Sequence, residues 1–293
     1  MKAFAQTLSN ISNKPIQTTL TQHATLLSFG YLWEKIHIDS KLFSQLFILH
    51  PLPLLDGLEN DKQIAHFARY EVGTEFGVAW LLAHTLSSTF QANTADSNIA
   101  QLDKLLNDLD VGFLASESNL AEEELDKLKT FINPSSFALV LGAELAQHPN
   151  AKDIAHILGL LSKITNIEII MPELADSIKP NQSLQAELSV CEQLPESNGN
   201  FIYIMPKRSV ADIALDSPIN SPLLKTPPLF AKALKLQDKT SITLGFESQQ
   251  ILTQCQYDNS LKGTIALLYL PSQSIKQQEL NLGYPYKKVE VIL

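Results

Sequence analysis

The sequence predicts an α/β protein: a Rossmann-like, mostly parallel sheet with flanking helices, plus a small C-terminal β-rich subdomain. The first observation is the stretch from Phe137 to Glu173, FALVLGAELAQHPNAKDIAHILGLLSKITNIEIIMPE, which reads as strand, helix, strand. Phe137 to Leu141 is an unbroken apolar run, as a parallel strand buried on both faces requires. Ile154, Ile157, Leu158, Leu161 and Ile164 then recur at helical spacing, and Ile167 to Met171 is a second strand closed by Pro172. The second observation is a change of pattern after residue 236. Ser241 to Phe246, Ile251 to Tyr257 and Thr264 to Leu270 are three short strand-like runs, a spacing that predicts a small antiparallel sheet or barrel.

The remaining elements follow in chain order. Leu42 to Leu55, LFSQLFILHPLPLL, holds a buried strand ending near His50-Pro51, and a polar turn covers Asp56 to Asp61. Glu71 to Phe90 reads as a helix with Thr74 as its N-cap and little polar face, so it is expected to be buried. A polar loop covers Gln91 to Asn98, and Ile99 to Leu109 reads as a short amphipathic helix. Asp110 to Leu120 reads as a turn-like connection. Asn119 with Glu122 has capping-box spacing and opens a helix through Phe131, and Asn150 with Asp153 repeats that spacing before the helical stripe from Ile154 to Ile164. A strand is expected at Ala186 to Cys191 and another at Phe201 to Met205. Pro206 to Pro228 carries prolines at 206, 218, 222, 227 and 228 and reads as an extended connector, its apolar Ile213, Leu215, Ile219, Leu223 and Leu224 forming a contact surface either for a partner or within the chain, where they would clamp the C-terminal sheet onto the α/β core. A short helix follows at Leu229 to Leu236. The expected organisation is therefore an α/β domain over 1–205, a connector over 206–236 and a β-rich subdomain over 237–293.

Composition narrows the function classes. The chain has 293 residues and a net charge of −9, whereas binding to nucleic acid phosphates calls for a basic excess. No run of apolar residues is long enough for a membrane-spanning helix, and the N-terminus lacks the apolar core of a signal peptide, so a cytoplasmic chain is expected. The two cysteines, Cys191 and Cys255, are too few for an iron–sulfur cluster and read as reduced, packed residues.

The turn from Gly142 to Pro149 stands where an α/β sheet would bind a dinucleotide, but it has Gly142 alone where the fingerprint has three glycines. Glu144 follows it, and a carboxylate there would repel a pyrophosphate. The histidines are His23, His37, His50, His66, His84, His148 and His156, and none forms a close pair on one helix turn. His84, in a largely apolar helix, reads as a hydrogen-bonded core residue. Glu71 and Glu75 lie one turn apart and read as charge that stabilises a helix start, as do Glu122, Glu123 and Glu124. No catalytic residue, metal ligand or cofactor is therefore assigned, and no cofactor-binding residue is identified.

Several stretches, in order, resemble one family. YEVGTEFGVAWLLAHTL (70–86), LDVGFLASESNLAEEEL (109–125) and FALVLGAELAQHPNAKDIAHILGLL (137–161) resemble the molybdopterin-oxidoreductase-like body of the G subunit of bacterial NADH-quinone oxidoreductase, respiratory complex I. The closing LKGTIALLYLP and LNLGYPYKKVEVIL are similar to the end of that subunit. The cysteine-rich, cluster-binding region of the family has no counterpart here. The resemblance implies a shortened or split body without redox centres: a non-catalytic scaffold subunit or paralogue in the peripheral arm of such a complex. It implies partners among the complex's other subunits, electron transport as the setting, and a position on the cytoplasmic face of the membrane held through those partners. A second expectation is a free-standing α/β enzyme or small-molecule-binding protein reusing the fold.

Overall fold

The computed structural model describes residues 1–33, 42–52, 65–89, 97–132, 137–165, 167–205, 221–270 and 283–292. The polar turn expected at 56–61, most of the loop at 91–98 and the connector residues Ile213, Leu215 and Ile219 lie outside them. The chain divides into two compact units, residues 1–51 with 55–196, and residues 197–293 with 52–54. The division therefore falls near residue 196, ahead of the boundary expected at 205.

The first unit is built on a five-stranded sheet. Its strands are β1 (His23–Phe29), β2 (Phe43–Leu49), β3 (Ala65–Ala68), β4 (Phe137–Leu141) and β5 (Glu168–Ile170), in the spatial order β3-β2-β1-β4-β5. Every neighbouring pair is parallel. All five residues of β4 are buried, as its apolar run requires. Helix α6 (Ala151–Thr165) connects β4 to β5 and buries Ile154, Ile157, Leu158 and Leu161. The expected βαβ unit is present.

Helices α1 (Lys2–Ser12), α2 (Glu75–Thr89), α3 (Ser97–Asn107), α4 (Val111–Glu117) and α5 (Glu122–Phe131) complete this unit. Helix α2 buries Val78, Ala79, Trp80, Leu81, Leu82 and Ala83 in succession, which explains its lack of a polar face. Helices α1 and α2 both pack on α6. At Gly159 the approach of α1 is close enough that an added Cβ would lie 3.0 Å from the Ile11 Cβ.

Four local expectations are corrected. Residues 110–120 are not a turn: they hold α4, whose first turn is capped by the Asp110 carboxylate accepting from the Phe113 N–H at 2.9 Å. Helix α5 begins after Ala121 without a side-chain cap, and Asn119 instead takes a left-handed φ of 51°. The capping role expected of Asp153 passes to His148, whose Nδ1 accepts the Asn150 N–H at 3.0 Å, while Asp153 accepts from Ser189 Oγ. Ala186 to Cys191 joins no sheet. Its backbone partner at Glu187 is the His156 ring of α6, and the Lys152–Glu187 ion pair adds a second tie. A segment whose polar groups are met by helix side chains needs no neighbouring strand.

The second unit holds a seven-stranded sheet. Its strands are β6 (Phe201–Ile204), β7 (Leu223–Thr226), β8 (Ser241–Phe246), β9 (Gln249–Tyr257), β10 (Ile265–Tyr269), β11 (Tyr286–Lys288) and β12 (Glu290–Ile292), in the order β11-β6-β10-β7-β9-β8-β12. The three strands expected here are present, but the sheet is mixed rather than antiparallel: β6 runs parallel to β10, and β7 parallel to β9. The described end of the proline-rich stretch is a sheet member. Leu223 and Leu224 lie in β7, Leu224 is fully buried, and helix α7 (Pro228–Ala233) follows.

Strands β11 and β12 are separated in sequence by Val289 alone, yet they stand at opposite ends of the strand order. The sheet must therefore curl until its two ends meet, as in a barrel. Val289, buried, marks the join, and its N–H donates to the Asn200 carbonyl at 2.8 Å, one residue before β6. Two tyrosines, Tyr203 and Tyr286, pack against each other across the β6–β11 pair, their rings tilted and 4.7 Å apart.

Candidate functional site

In the five-stranded sheet the strand order reverses between β1 and β4. Ligands of open α/β sheets bind at such a point, beyond the carboxyl ends of the strands. Because all five strands are parallel, the residues that follow them share one rim: Gly30 after β1, His50 after β2, Gly142 after β4 and Glu173 beyond β5. This rim is the candidate site.

The two central loops touch backbone to backbone. Gly30 has a φ of +62°, and the Gly142 N–H donates to the Phe29 carbonyl at 3.0 Å. A Cβ at Gly142 would lie 1.5 Å from the Gly30 carbonyl oxygen, so only glycine fits. The lone glycine of a turn that lacks the dinucleotide fingerprint thus serves close packing between loops. The 3-10 turn that follows, Ala143–Gln147, sets Glu144 and Leu145 over Gly30. Leu145 is fully buried and Glu144 is 5% exposed.

Two buried acid–imidazole pairs occupy the rim. His50 Nε2 lies 3.5 Å from the Glu144 carboxylate. His148 Nε2 lies 3.1 Å from the Glu75 carboxylate and 3.1 Å from the Gly73 carbonyl. Both neighbours are acceptors, so Nε2 carries the proton; Nδ1 accepts from the Asn150 N–H. Glu75 stands in the first turn of α2, where the helix dipole favours its charge. Thr74 fixes that turn by donating its hydroxyl to the Glu71 carbonyl at 2.7 Å. Each acid facing an imidazole is what makes four titratable groups tolerable at this depth.

The electrostatics follow from burial. Desolvation raises the Glu144 carboxyl above the ordinary glutamate range, and the carboxylates of Glu75 and Glu173 push the same way, against the pull of His50. For His148, burial works against the charged ring. Glu75, through a hydrogen bond and its charge, and the Gly73 carbonyl outweigh it, so the net direction is upward. The fifth group is Glu173, whose carboxylate accepts the Ala143 N–H. In a dinucleotide-binding turn, backbone N–H groups at this place would face phosphate. Here one of them faces the protein's own carboxylate.

The structure thus brings together Glu144, Glu75, His50 and His148, of which sequence reading had singled out Glu144 as repelling phosphate and Glu75 as a helix-start charge. Glu71 contributes backbone rather than a second carboxylate, accepting from Thr74 and donating its N–H to the Ser118 carbonyl. Glu173 was missed. His84 lies on α2, partly exposed, its pKa lowered by burial and by Lys129. Glu124 pairs with His66 and Lys127 on α5. Cys191 and Cys255 are free and buried; burial pushes the Cys191 thiol up to about 11 and raises Cys255 as well. Among the described residues, no group of three or more His, Cys, Asp or Glu side chains is placed to hold a metal ion, and no helix is long and apolar enough to cross a membrane.

No protein-family model matches the chain, and no curated protein matches it. Among solved structures the chain is similar to acetylene hydratase from Pelobacter acetylenicus, with a TM-score of 0.53 and 8% sequence identity over 91% of this chain and 73% of that one. At that identity the likeness shows the fold alone.

Proposed function

We propose that this chain is a non-catalytic body, a scaffold subunit or paralogue in the peripheral arm of a complex I-like NADH-quinone oxidoreductase, holding neighbouring subunits in register. The observation that carries the reading is the occupied rim. The Ala143 N–H, at the reversal of strand order, is met by Glu173, and Glu144 and Leu145 fill the space over Gly30. A phosphate brought there would face the carboxylates of Glu75, Glu144 and Glu173 instead of free N–H donors. A fold of this kind with its usual ligand crevice filled from within fits a structural role better than a nucleotide-dependent one. The resemblance of residues 70–86, 109–125 and 137–161 to the molybdopterin-oxidoreductase-like body of that enzyme's G subunit supplies the named complex.

The test is mild-detergent extraction of the native host, native separation and mass spectrometry of the band containing this chain. Quinone-oxidoreductase subunits in that band, and impaired assembly in a deletion strain, are the expected results. Recovery as a free species only, with assembly intact in the deletion strain, overturns the proposal.

A further inference from the structure

The sequence holds a single Asn-Gly pair, Asn198-Gly199, which stands at the entry to the second unit just before β6. Residues 196–200 belong to no helix or strand, and Asn198 and Gly199 are both exposed. Gly199 has a φ of +132°, which a residue with a Cβ rarely adopts. Among the described residues its N–H donates to no acceptor, and the Asn198 side chain has no hydrogen-bond partner. The Lys288 side chain lies over the glycine: a Cβ on Gly199 would stand 2.5 Å from Lys288 Cε and 3.3 Å from its Nζ. Among the described residues no carboxylate pairs with that ammonium; Glu247 takes the neighbouring Lys287 instead. Three conditions for attack by a backbone nitrogen on the asparagine amide are therefore met together. No side chain on the following residue shields Asn198 Cγ. The attacking nitrogen is not tied up in a hydrogen bond. A cation stands beside it, where negative charge develops once its proton is removed.

We propose that Asn198 is a site of self-modification: it deamidates through a cyclic imide closed by the Gly199 nitrogen, and the Lys288 ammonium speeds the closure. Solvent base removes the Gly199 amide proton, the nitrogen bonds to Asn198 Cγ, and the Cγ–Nδ2 bond breaks. Nδ2 leaves as ammonia, with a proton returned from water. Water then opens the imide at one of its two carbonyls. Opening at the backbone carbonyl routes the chain through Cγ and gives isoaspartate; opening at Cγ gives aspartate. The only co-reactant is water. Either product places a new carboxylate beside Lys288, where opposite charge favours it. The isoaspartate also adds a methylene to the main chain just ahead of the Asn200 carbonyl, which holds the Val289 N–H at the join of the curled sheet. Asn259, also exposed, is the internal control: the N–H of Ser260 after it donates to Asp258 Oδ1 at 3.0 Å, and Ser260 carries a side chain. The inference is independent of the scaffold reading, since it rests on no residue of the rim.

The test is incubation of the full folded chain at pH 8, with peptide mass spectrometry of samples drawn over time. Asn198 is expected to show the mass shift of amide-to-acid conversion ahead of Asn259, with isoaspartate, read by an isoaspartyl methyltransferase, as the larger product. The rate is expected to rise with pH, since closure requires the Gly199 proton to leave. Asn198→Gln, at an exposed position, is expected to abolish the early product, and Gly199→Ala to slow it. Lys288→Gln is expected to slow conversion several-fold while Lys288→Arg keeps the parent's rate, which separates charge from packing. In denaturant the parent and Lys288→Gln are expected to convert at one rate, because the folded chain alone holds the ammonium over Gly199. An intact Asn198 in a sample where Asn259 has converted overturns the proposal. Equal rates for the folded parent and folded Lys288→Gln overturn the part given to Lys288. If Gly199→Ala fails to fold, the comparison of Asn198 with Asn259 in the unaltered chain decides.

Discussion

Strands β4 and β9, one from each sheet of this chain, hide their side chains in different ways. In β4 of the first unit every residue is buried, and β1 and β2 bury their last several residues without alternation. In β9 of the second unit buried and open positions alternate: Ile251, Thr253 and Cys255 point in, while Leu252 is 66% exposed. The first pattern needs cover on both faces and goes with parallel strands joined by helices; the second needs it on one. The difference teaches what a strand's pattern reports. It tells how many of its faces are covered, and an alternating pattern leaves open which strand lies beside it and in which direction. Strand β7 is the example, parallel to β9 on one side and antiparallel to β10 on the other.

The largest effect expected is at Leu158, fully buried on α6 in the core of the first unit. Leu158→Asp places an unpaired carboxylate there and is expected to cost about 4 kcal/mol in a denaturant titration. A midpoint close to that of the parent would mean that this face of α6 is not part of the core.

Alanine substitutions read the comparison directly. Neighbouring positions in β4 are both expected to be costly, Leu139→Ala by about 3 kcal/mol and Val140→Ala by about 2 kcal/mol. In β9 the cost is expected to alternate: Ile251→Ala about 3 kcal/mol, Leu252→Ala within about 0.5 kcal/mol. Equal losses at 251 and 252 would remove the distinction between β4 and β9.

The smallest effect concerns pH. A carboxyl whose folded pKa is raised holds its proton more tightly when folded. The stability from Glu144 is therefore fully present below the ordinary glutamate range and is lost as pH rises through the raised folded value. Glu144→Gln keeps the shape and removes the titration, so it is expected to stabilise the chain by about 1 kcal/mol at pH 8 and not at pH 4. His148, also raised, contributes in the same direction, so the variant's pH slope shrinks without vanishing. A variant with the parent's slope would place Glu144 in contact with solvent when folded.

Legibility follows the range of the interaction. The β4–α6–β5 unit was readable because its apolar run and helical stripe are local patterns. Strand β1 was not: Thr25 and Ser28 interrupt its apolar residues although both are fully buried. Helix α1 escaped because Ser9, Asn10 and Ser12, polar by type, are buried; the Ser9 hydroxyl donates to the Lys14 carbonyl at 2.7 Å. At the rim, Glu144 was visible by its place after an apolar run, whereas its partner came from another strand. A usable signal was present: His50, Glu144 and Glu173 each follow closely on a buried strand. In a parallel sheet such residues converge, because all the strands end on one side. Two three-residue strands, β11 and β12, are too short for any periodicity to mark.

The join at Val289 has a consequence for the order in which the chain is made. Synthesis completes the five-stranded sheet once Ile170 has emerged, and contacts of short range can form behind the growing end. Strand β6 has to wait: both of its partners, β10 and β11, arrive long after it, and the curl closes only when Val289 and β12 are released. Until β10 emerges, Ile202 and Ile204, buried in the finished protein, have no strand to join. A nascent chain halted between Tyr257 and Tyr286 would thus carry a finished first unit and an adhesive, unfinished second one, and that interval is where a chaperone would find its substrate.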